Sequence, residues 1–240
     1  MASRWIPLES NPDANYSSWV VLNSWSIKAG LVPSVGFGDV YGLDESLLAM
    51  VPQPVKAVVL LFPISPESEA RRKTEDETIA SKGQPELDPT IVWIKQTISN
   101  ACGTMGLIHA IANSDATLEP LSPLAKFIEQ CIGKTPEERA KLLETTPLFA
   151  DIHAQAASSG QTAVPTNLDT NLHFTCFVAA PSPSGEGPRV VELDGRRNGP
   201  IDRGACTDLL ADAAKIIRDQ YIGDSQSMQF NVMSLGPSFA

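Results

Sequence analysis

The sequence predicts a mixed α/β fold in which helices cover a central sheet. Three observations lead to this prediction. Runs typical of strands alternate with runs typical of helices, without the strict β-α-β order of a parallel sheet. Residues 55–62 form a nearly continuous apolar run, as in strands buried on both faces. Of the 240 residues, 42% are hydrophobic and 19% are charged, which is usual for a folded soluble protein.

Cap residues and apolar periodicity define the elements of the first hundred residues. In order, they are a helix from Asn11-Pro12 toward Ala29, a strand at 35–41, a short helix from Asp44 to Met50 and the buried strand at 55–62. Asn and Asp side chains accept hydrogen bonds from the first N–H groups of a helix, and Pro suits the first turn. Residues 66–77 carry many charges of both signs, which favours a solvated helix end or a loop.

From residue 100 onward, the sequence predicts four helices and three more strands. In order, they are a helix from the cap Asn100 to about Ala112, helices at 124–132 and 136–143, strands at 170–180 and 189–193, a helix at 206–221 and a strand at 228–235. The two strands at 170–180 and 189–193 flank a turn rich in Pro and Ser, which predicts a strand pair.

One segment, residues 154–167, is small and polar and has no period. Loops of that length are usually functional or disordered. It is either a linker or a functional loop placed before a histidine-bearing strand. Because the composition does not change across it, we expect one domain over residues 1–240.

Charge and composition limit the possible partners. Lys and Arg number 18 against 28 Asp and Glu, so the net charge is −10 and we expect no nucleic-acid partner. An acidic surface favours basic partners, or it only keeps the protein soluble. The longest apolar run, 55–64, is too short to cross a bilayer, so we expect no membrane partner. Residues 1–13 lack the regions of a signal peptide and the four cysteines are widely spaced, which predicts a cytoplasmic or nuclear protein.

A cysteine at the start of a predicted helix is the sharpest candidate for chemistry. Cys102 falls in the first turn after Asn100, where the helix dipole and free N–H groups favour a thiolate. Gly103 and Gly106 lack side chains and allow a substrate or another backbone to come close. The alternative is a buried cysteine that packs as a small hydrophobe.

Three histidines could provide the base that a cysteine nucleophile needs. His109 lies two turns along the apolar helix from Cys102 and is interpreted as a core residue. His153 is at the entrance to the 154–167 segment and is predicted to be exposed. His173 begins a strand-forming run, where the backbone would hold its ring rigidly.

The partners of His173 follow from strand pairing. Asp194 ends the next predicted strand, so pairing would bring His173 and Asp194 together as a base and its orienting carboxylate. The alternative for Asp194 is an ordinary turn with Gly195. Gln96 can donate into an oxyanion hole together with the Cys102 N–H, or it is an ordinary loop residue. Cysteine, histidine and aspartate in this order follow the logic of papain-like thiol proteases.

With these residues the chain resembles the ubiquitin C-terminal hydrolases. The similarity covers essentially the whole chain, and it is most specific around Cys102. The segments that resemble the family are 95–104 (KQTISNACGT), 106–110 (GLIHA), 172–174 (LHF), 192–196 (ELDGR), 5–12 (WIPLESNP), 39–44 (DVYGLD) and 50–54 (MVPQP).

The resemblance implies roles for four residues. Cys102 would be the nucleophile, His173 the general base and acid, Asp194 its orienting carboxylate and Gln96 the oxyanion donor. The implied fold is a central antiparallel-rich sheet flanked by helices, with a papain-like catalytic core and a knotted backbone. The segment at about 154–167 would be a crossover loop that arches over the active site and limits the leaving group.

The resemblance also implies the reaction and its partner. We expect thiol-dependent hydrolysis of amide, ester or thioester bonds after the C-terminal glycine of ubiquitin, with small or flexible leaving groups. No metal or organic cofactor is expected, and the chain is expected to be a monomer similar to the short members of the family. Two alternatives remain: hydrolysis of the neddylation modifier, and a ubiquitin-binding module without turnover. The expected substrate contacts are Leu8, Glu9, Asp39, Asn100, Gly160 and Leu172.

Overall fold

An antiparallel sheet of six strands organises the part of the chain that the computed structural model describes, which is residues 5–8, 18–158, 170–223 and 229–238. The strands are β1 (Val35–Asp39), β2 (Ala57–Pro63), β3 (Leu172–Ala180), β4 (Arg189–Leu193), β5 (Ile201–Ala205) and β6 (Asn231–Pro237). Their order in the sheet is β1-β6-β2-β3-β4-β5, and every neighbouring pair is antiparallel. The predicted antiparallel-rich sheet between helices is confirmed.

Eight helices flank this sheet in the described ranges. They are α1 (Ser18–Ala29), α2 (Glu45–Leu48), α3 (Pro66–Lys82), α4 (Cys102–Ala112), α5 (Pro123–Cys131), α6 (Pro136–Glu144), α7 (Pro147–Ser158) and α8 (Leu209–Ile216), which a π-helical turn, Ile217–Ile222, continues. Helices α3, α5 and α6 begin at proline after a Ser or Thr whose hydroxyl accepts an N–H of the first turn. The hydroxyl and the proline define these helix starts locally.

The sheet is buried on both faces because strand side chains alternate. In β2, Val59 and Leu61 belong to the core that includes Leu107 of α4. Val58 and Leu60 belong to a second core, on the side of α8. Full burial of each such side chain stabilises the fold by about 1.5–3 kcal/mol. The prediction of a strand covered on both faces is therefore confirmed for β2.

The charged stretch at 66–77 is a helix rather than a solvated helix end or a loop. It forms most of α3, and its charges are paired with the turn that follows β4. Asp76 binds Arg197 at 2.7 Å, and Glu69 binds Arg196 at 2.9 Å. Asp76 and Arg197 are only 7% and 3% exposed, so the pairing is part of the interior. Local charge density could not reveal partners about 120 residues away.

The predicted loop at 154–167 includes five residues, 154–158, that are helical in the structure. Residues 154–158 are the last turn of α7, a helix absent from the predicted elements, and the rest of the segment lies outside the described residues. Ala156 is fully buried in this turn. Small residues reduce the apolar signal of a helix face, which explains why the periodicity was weak. The crossover function stays a prediction.

Strand β5 was also absent from the predicted elements. It is an edge strand with the sequence IDRGA, in which Ile201 is the buried apolar residue. Asp202 and Arg203 are instead held by ion pairs with Arg189 and Glu75. A short polar edge strand gives little alternation for a sequence to reveal.

Two expectations depend on the whole chain path. The backbone knot and the single domain both stay predictions, because they involve residues outside the described ranges. Within those ranges, every helix falls short of the length and apolar character that a bilayer crossing requires.

Candidate active site

Cys102 is the first residue of α4, as predicted, but the residue that caps this helix differs from the prediction. The N-cap position is occupied by Ala101, whose methyl group cannot accept a hydrogen bond. Asn100 lies just outside in a left-handed conformation with φ 63°, which Asn tolerates better than most residues. Its side chain donates to the carbonyl oxygen of Trp5 at 3.0 Å. Asn100 therefore attaches residues 5–8 to the nucleophile segment instead of capping α4.

The structure brings Cys102, His173 and Asp194 together. His173 Nε2 lies 2.7 Å from Asp194 Oδ1, and both residues are 3% exposed. The ring of His173 also interacts with the sulfur of Cys102, because its hydrogen-bonding and charge lower the pKa of the thiol. Since Nε2 faces Asp194, Nδ1 is the ring nitrogen that is left for the sulfur. The backbone of Phe174 lowers the pKa of the same thiol. The three residues of the predicted triad are therefore neighbours in the structure.

Sheet pairing explains how these residues meet. The β3–β4 ladder ends at Cys176 and Leu193, and the chain turns at Asp194. The first residues of β3 thus extend past the end of β4, where the N-terminus of α4 reaches His173. The predicted pairing of these two strands is confirmed. Asp194 Oδ1 also accepts the N–H of Arg196 at 2.8 Å, which orients the carboxylate.

Charge within this triad opposes the effect of burial. Burial alone would lower the pKa of His173, but the charge and hydrogen bond of Asp194 raise it to about 10. Burial alone would raise the pKa of the Cys102 thiol, but the hydrogen bond and charge of His173 bring it below its usual range. Burial raises the pKa of Asp194, and the charge of His173 outweighs this and lowers it. These shifts favour a thiolate–imidazolium pair at neutral pH.

Gln96 is held against the turn that carries Asp194. Its backbone N–H donates to the carbonyl oxygen of Gly195 at 2.9 Å, and its side-chain Nε2 donates to Ile98 O at 3.2 Å. An amide has two N–H bonds, so one remains for an oxyanion. A Cβ atom on Gly195 would lie 2.9 Å from Gln96 Cβ, so the close approach requires glycine. Among the described residues, Gln96 Oε1 is buried without a hydrogen-bond partner.

Of the six expected substrate contacts, four can be located. Glu9 and Gly160 lie outside the described residues. Leu8 is only 3% exposed and lies against Gly103, where a Cβ atom would come within 3.0 Å of it. Leu8 therefore supports the nucleophile segment from the core, which differs from the expected surface position. Asn100 is attached to Trp5, as described above.

The two other expected contacts are at strand ends. Leu172 is half-buried, begins β3 and precedes His173 directly. Asp39 ends β1 and is half-buried, and burial raises its pKa above the usual range. Its Oδ1 is buried without a hydrogen-bond partner among the described residues. A carboxylate in this state would gain from a basic ligand.

The two other histidines are both buried. His109 was interpreted as a core residue and is 1% exposed. His153 was predicted to be exposed, and this is wrong, because it lies in α7 and is also 1% exposed. Its Nδ1 lies 2.8 Å from Thr104 Oγ1, and its Nε2 contacts the carbonyl oxygen of Ile6. Burial lowers the pKa of each ring to about 4.

Sequence reasoning missed the residues that hold the site from behind. Phe62 faces His173 edge-on, with ring centroids 5.6 Å apart, because the two residues are partners across β2 and β3. Lys95 donates to the carbonyl oxygen of Arg197 at 2.5 Å. The register of the predicted strands could have indicated Phe62. The sequence has no local signal for the contact of Lys95.

A cavity of about 1030 Å³ borders His173 and Asp194. Phe62 and Tyr221 line it with aromatic rings, and residues of α3 such as Arg72 also line it. Neither Cys102 nor Gln96 lines this cavity, so it borders the histidine and the carboxylate but not the nucleophile.

The sequence is similar to one known family of proteins over most of its length. Residues 5–222 match the family model described as "Ubiquitin carboxyl-terminal hydrolase, family 1". The chain is 40% identical over 239 residues to ubiquitin carboxyl-terminal hydrolase 3 of Arabidopsis thaliana, covering 98% of this chain and 94% of that protein. It is 36% identical over 233 residues to ubiquitin carboxyl-terminal hydrolase isozyme L1 of Rattus norvegicus, covering 95% and 96%.

A solved structure has the same fold. The chain is similar to the Trichinella spiralis UCH37 catalytic domain, whose crystal structure holds ubiquitin vinyl methyl ester. The TM-score is 0.70 at 22% sequence identity, and the match covers 98% of this chain and 96% of that one.

Proposed function

This chain belongs to family 1 of the ubiquitin carboxyl-terminal hydrolases, which are cysteine peptidases, and we propose that it hydrolyses the bond after the C-terminal glycine of ubiquitin. The observation that carries the proposal is the grouping of three residues: His173 lies 2.7 Å from Asp194 and lowers the pKa of the Cys102 thiol. A thiol activated in this way is suited to acyl transfer.

The first step is attack by the Cys102 thiolate on the carbonyl carbon of the terminal glycine. The carbonyl π electrons move to oxygen, which becomes an oxyanion. Gln96 Nε2–H and the backbone N–H of Cys102 stabilise it. The Cys102 N–H is suited to this role because the N–H groups of a first helical turn have no acceptor within the helix.

The second step expels the leaving group. The imidazolium of His173 donates its Nδ1 proton to the departing amine as the C–N bond breaks, and a thioester remains on Cys102. Water then gives one proton to His173, and its oxygen attacks the thioester carbonyl carbon to form a second oxyanion. When the carbonyl re-forms and the C–S bond breaks, the Cys102 thiolate is released, and the carboxylic acid of ubiquitin gives its proton to solvent and leaves as the carboxylate. Asp194 stays ionised throughout and stabilises the imidazolium.

Substrate recognition uses the acidic character of the chain. The net charge of −10 favours the basic, arginine-bearing tail of ubiquitin. Asp39 supports this proposal because its half-buried carboxylate gains from a basic partner. Glu9 would add a second acidic contact. The leaving group in this proposal is small or flexible.

Cellular context belongs to the same proposal. All four cysteines are free thiols, which is compatible with a reducing compartment. We therefore expect a monomeric enzyme of the ubiquitin conjugation pathway in the cytoplasm or the nucleus. Rates on the tails of ubiquitin and of the neddylation modifier would measure selectivity between the two substrates.

The decisive experiment replaces the nucleophile. In Cys102→Ala, cleavage of a ubiquitin C-terminal amide should be abolished while ubiquitin binding remains, because only the sulfur is lost. Ubiquitin vinyl methyl ester should label the unchanged protein at Cys102, as found by peptide mass spectrometry. The matched control is Cys206→Ala, which removes a half-buried thiol whose pKa burial raises to about 11. Turnover in Cys102→Ala, or labelling at another cysteine, would contradict the proposal.

A further inference from the structure

The extended segment 91–96 runs through the interior although it is part of none of the six described strands. Its backbone needs partners other than a strand ladder, because a buried N–H or C=O without one is costly. Side chains of neighbouring helices supply them. Asn113, just after α4, pairs with the N–H and C=O of Val92 at 2.7 and 2.9 Å. Arg139 of α6 donates to two more carbonyl oxygens of the segment.

His109 of α4 joins this segment to the sheet. Its Nε2 accepts the N–H of Ile94 at 3.0 Å, and its Nδ1 lies 3.3 Å from the carbonyl oxygen of Leu193. These partners require the proton on Nδ1, which donates to Leu193 O. Ile94 is two residues before Gln96, and Leu193 directly precedes Asp194. A single ring thus bridges the two backbone segments that carry these functional groups.

The connection continues beyond His109. Trp93 Nε1 donates to the carbonyl oxygen of Asp194 at 3.1 Å, and the Gln96 N–H donates to that of Gly195 at 2.9 Å. The two segments are therefore held together along their length. His109 makes the contact on the side of α4, the helix that carries the nucleophile.

We propose that His109 is a positioning residue that sets the Gln96 amide and the Asp194 carboxylate relative to Cys102. This inference rests on the roles proposed above for those residues. The helical rise puts His109 about 10 Å along α4 from Cys102, so it acts through the backbone and not on the substrate.

A neutral imidazole is suited to this position because it has one donor and one acceptor. Burial keeps the ring neutral at physiological pH by lowering the pKa of His109 to about 4, against the opposing effects of the Leu193 carbonyl and the Asp194 charge. The charge of Arg139 lowers it further. A protonated ring would point a second N–H at the Ile94 N–H and break the bridge.

Three substitutions test the proposal. His109→Phe keeps a planar ring and loses both hydrogen bonds. His109→Asn offers an amide near the Nδ1 position, and His109→Gln offers one near Nε2, so each keeps one bond. We expect His109→Phe to lower kcat on the order of 100-fold with KM nearly unchanged, because small misplacements of catalytic groups have effects of that size. The Asn and Gln variants should lie between Phe and the unchanged protein.

Alkylation of Cys102 by iodoacetamide provides a measurement that needs no ubiquitin. The pH of half-maximal reactivity should rise in His109→Phe, because a displaced Asp194 supports the imidazolium less well. A protein that failed to cleave ubiquitin would still show this shift, so the two proposals can fail separately. Thermal unfolding of the same samples identifies any loss of folded protein.

Two results would overturn the inference. One is a folded His109→Phe protein with unchanged kcat and an unchanged alkylation profile. The other is a pattern that a positioning role does not predict: either the loss of kcat across the variants follows only their melting temperatures, or KM rises while kcat stays constant. If His109→Phe does not fold, the Asn and Gln variants provide the same comparison, and reduced kcat with a shifted profile is then required of both.

Discussion

The region around His173 and the region around His153 bury their imidazoles almost equally, at 3% and 1% exposure. Around His173 the nearest partner is the Asp194 carboxylate, at 2.7 Å. Around His153 the partners are neutral: the Thr104 hydroxyl and the Ile6 carbonyl oxygen. The pKa of His173 is raised to about 10, and that of His153 is lowered to about 4. Burial alone therefore suppresses the charge, and one carboxylate reverses the effect.

The two regions contribute differently to the site. His173, whose pKa is raised, lowers the pKa of the Cys102 thiol and is the base of the proposed reaction. The neutral ring of His153 connects α7 and residues 5–8 to Thr104, two residues after the nucleophile. Trp5 packs on that ring with centroids 4.5 Å apart. Both regions thus act on the first turn of α4, one through charge and the other through packing.

Removing the carboxylate should make the first region resemble the second. In Asp194→Asn the pKa of His173 should fall and that of Cys102 should rise, because the imidazolium loses its counter-charge. We expect kcat on a ubiquitin amide to drop on the order of 10³–10⁴-fold. Alkylation of Cys102 at neutral pH should slow in parallel, as measured by peptide mass spectrometry. Asp151→Asn, which changes an exposed carboxylate of α7, is the control. Rapid alkylation in Asp194→Asn would show that Asp194 does not maintain the ion pair.

Moving the carboxylate without removing it gives a smaller effect. In Gly195→Ala the new Cβ would lie 2.9 Å from Gln96 Cβ and 3.3 Å from the Ile94 carbonyl oxygen, so the turn must shift. We expect kcat to fall on the order of 10- to 100-fold, with little change in KM. Gly199→Ala is the matched control, because its Cβ would meet no described atom within 4 Å. Equal kcat values for the two variants would indicate that the turn tolerates displacement.

The smallest effect concerns stability in acid, and it tests the second region. The pKa of His153 is depressed from 6.5 to about 4, so between these values the unfolded chain binds a proton that the folded chain does not. The stability from His153 is therefore present above pH 6.5 and is lost as pH falls toward 4. One such proton changes the free energy of unfolding by about 1.4 kcal/mol per pH unit.

His153→Gln retains hydrogen-bonding groups and does not titrate. Its free energy of unfolding, from urea denaturation at a series of pH values, should therefore fall less steeply between pH 6.5 and 4 than that of the unchanged protein. His173 behaves in the opposite sense. Its pKa is raised, so its contribution is full below pH 6.5 and is lost as pH rises through about 10. Parallel acid slopes for His153→Gln and the unchanged protein would mean that His153 is not neutral when folded.

Much of the fold could be predicted from local signals. The apolar run of β2, the Thr135 cap of α6 and the turn between β3 and β4 all identify elements that the structure contains. Helix α3 and strand β5 could not be predicted in the same way. Their charged residues are stabilised by partners far away in the sequence, such as Arg197 for Asp76.

The site residues also divide into those that local features predicted and those whose placement depends on distant contacts. Cys102, His173 and Asp194 could be identified because a helix start and two strand ends are local features, and the resemblance named them. The exposure of His153 was predicted wrongly because its partners come from residues 5–8 and from α4. The inward position of Leu8 likewise depends on Gly103, a contact across 95 residues.

The sequence alone determined the residue types, the family and the order of nucleophile, base and carboxylate, because these depend on composition and on short motifs. Only the tertiary structure decided which histidine is charged. A pKa depends on burial and on the nearest charges, and for His109, His153 and His173 those neighbours are distant in the chain. Three imidazoles of equal intrinsic chemistry thus differ because folding gives one of them a carboxylate at 2.7 Å and the others neutral hydrogen-bond partners.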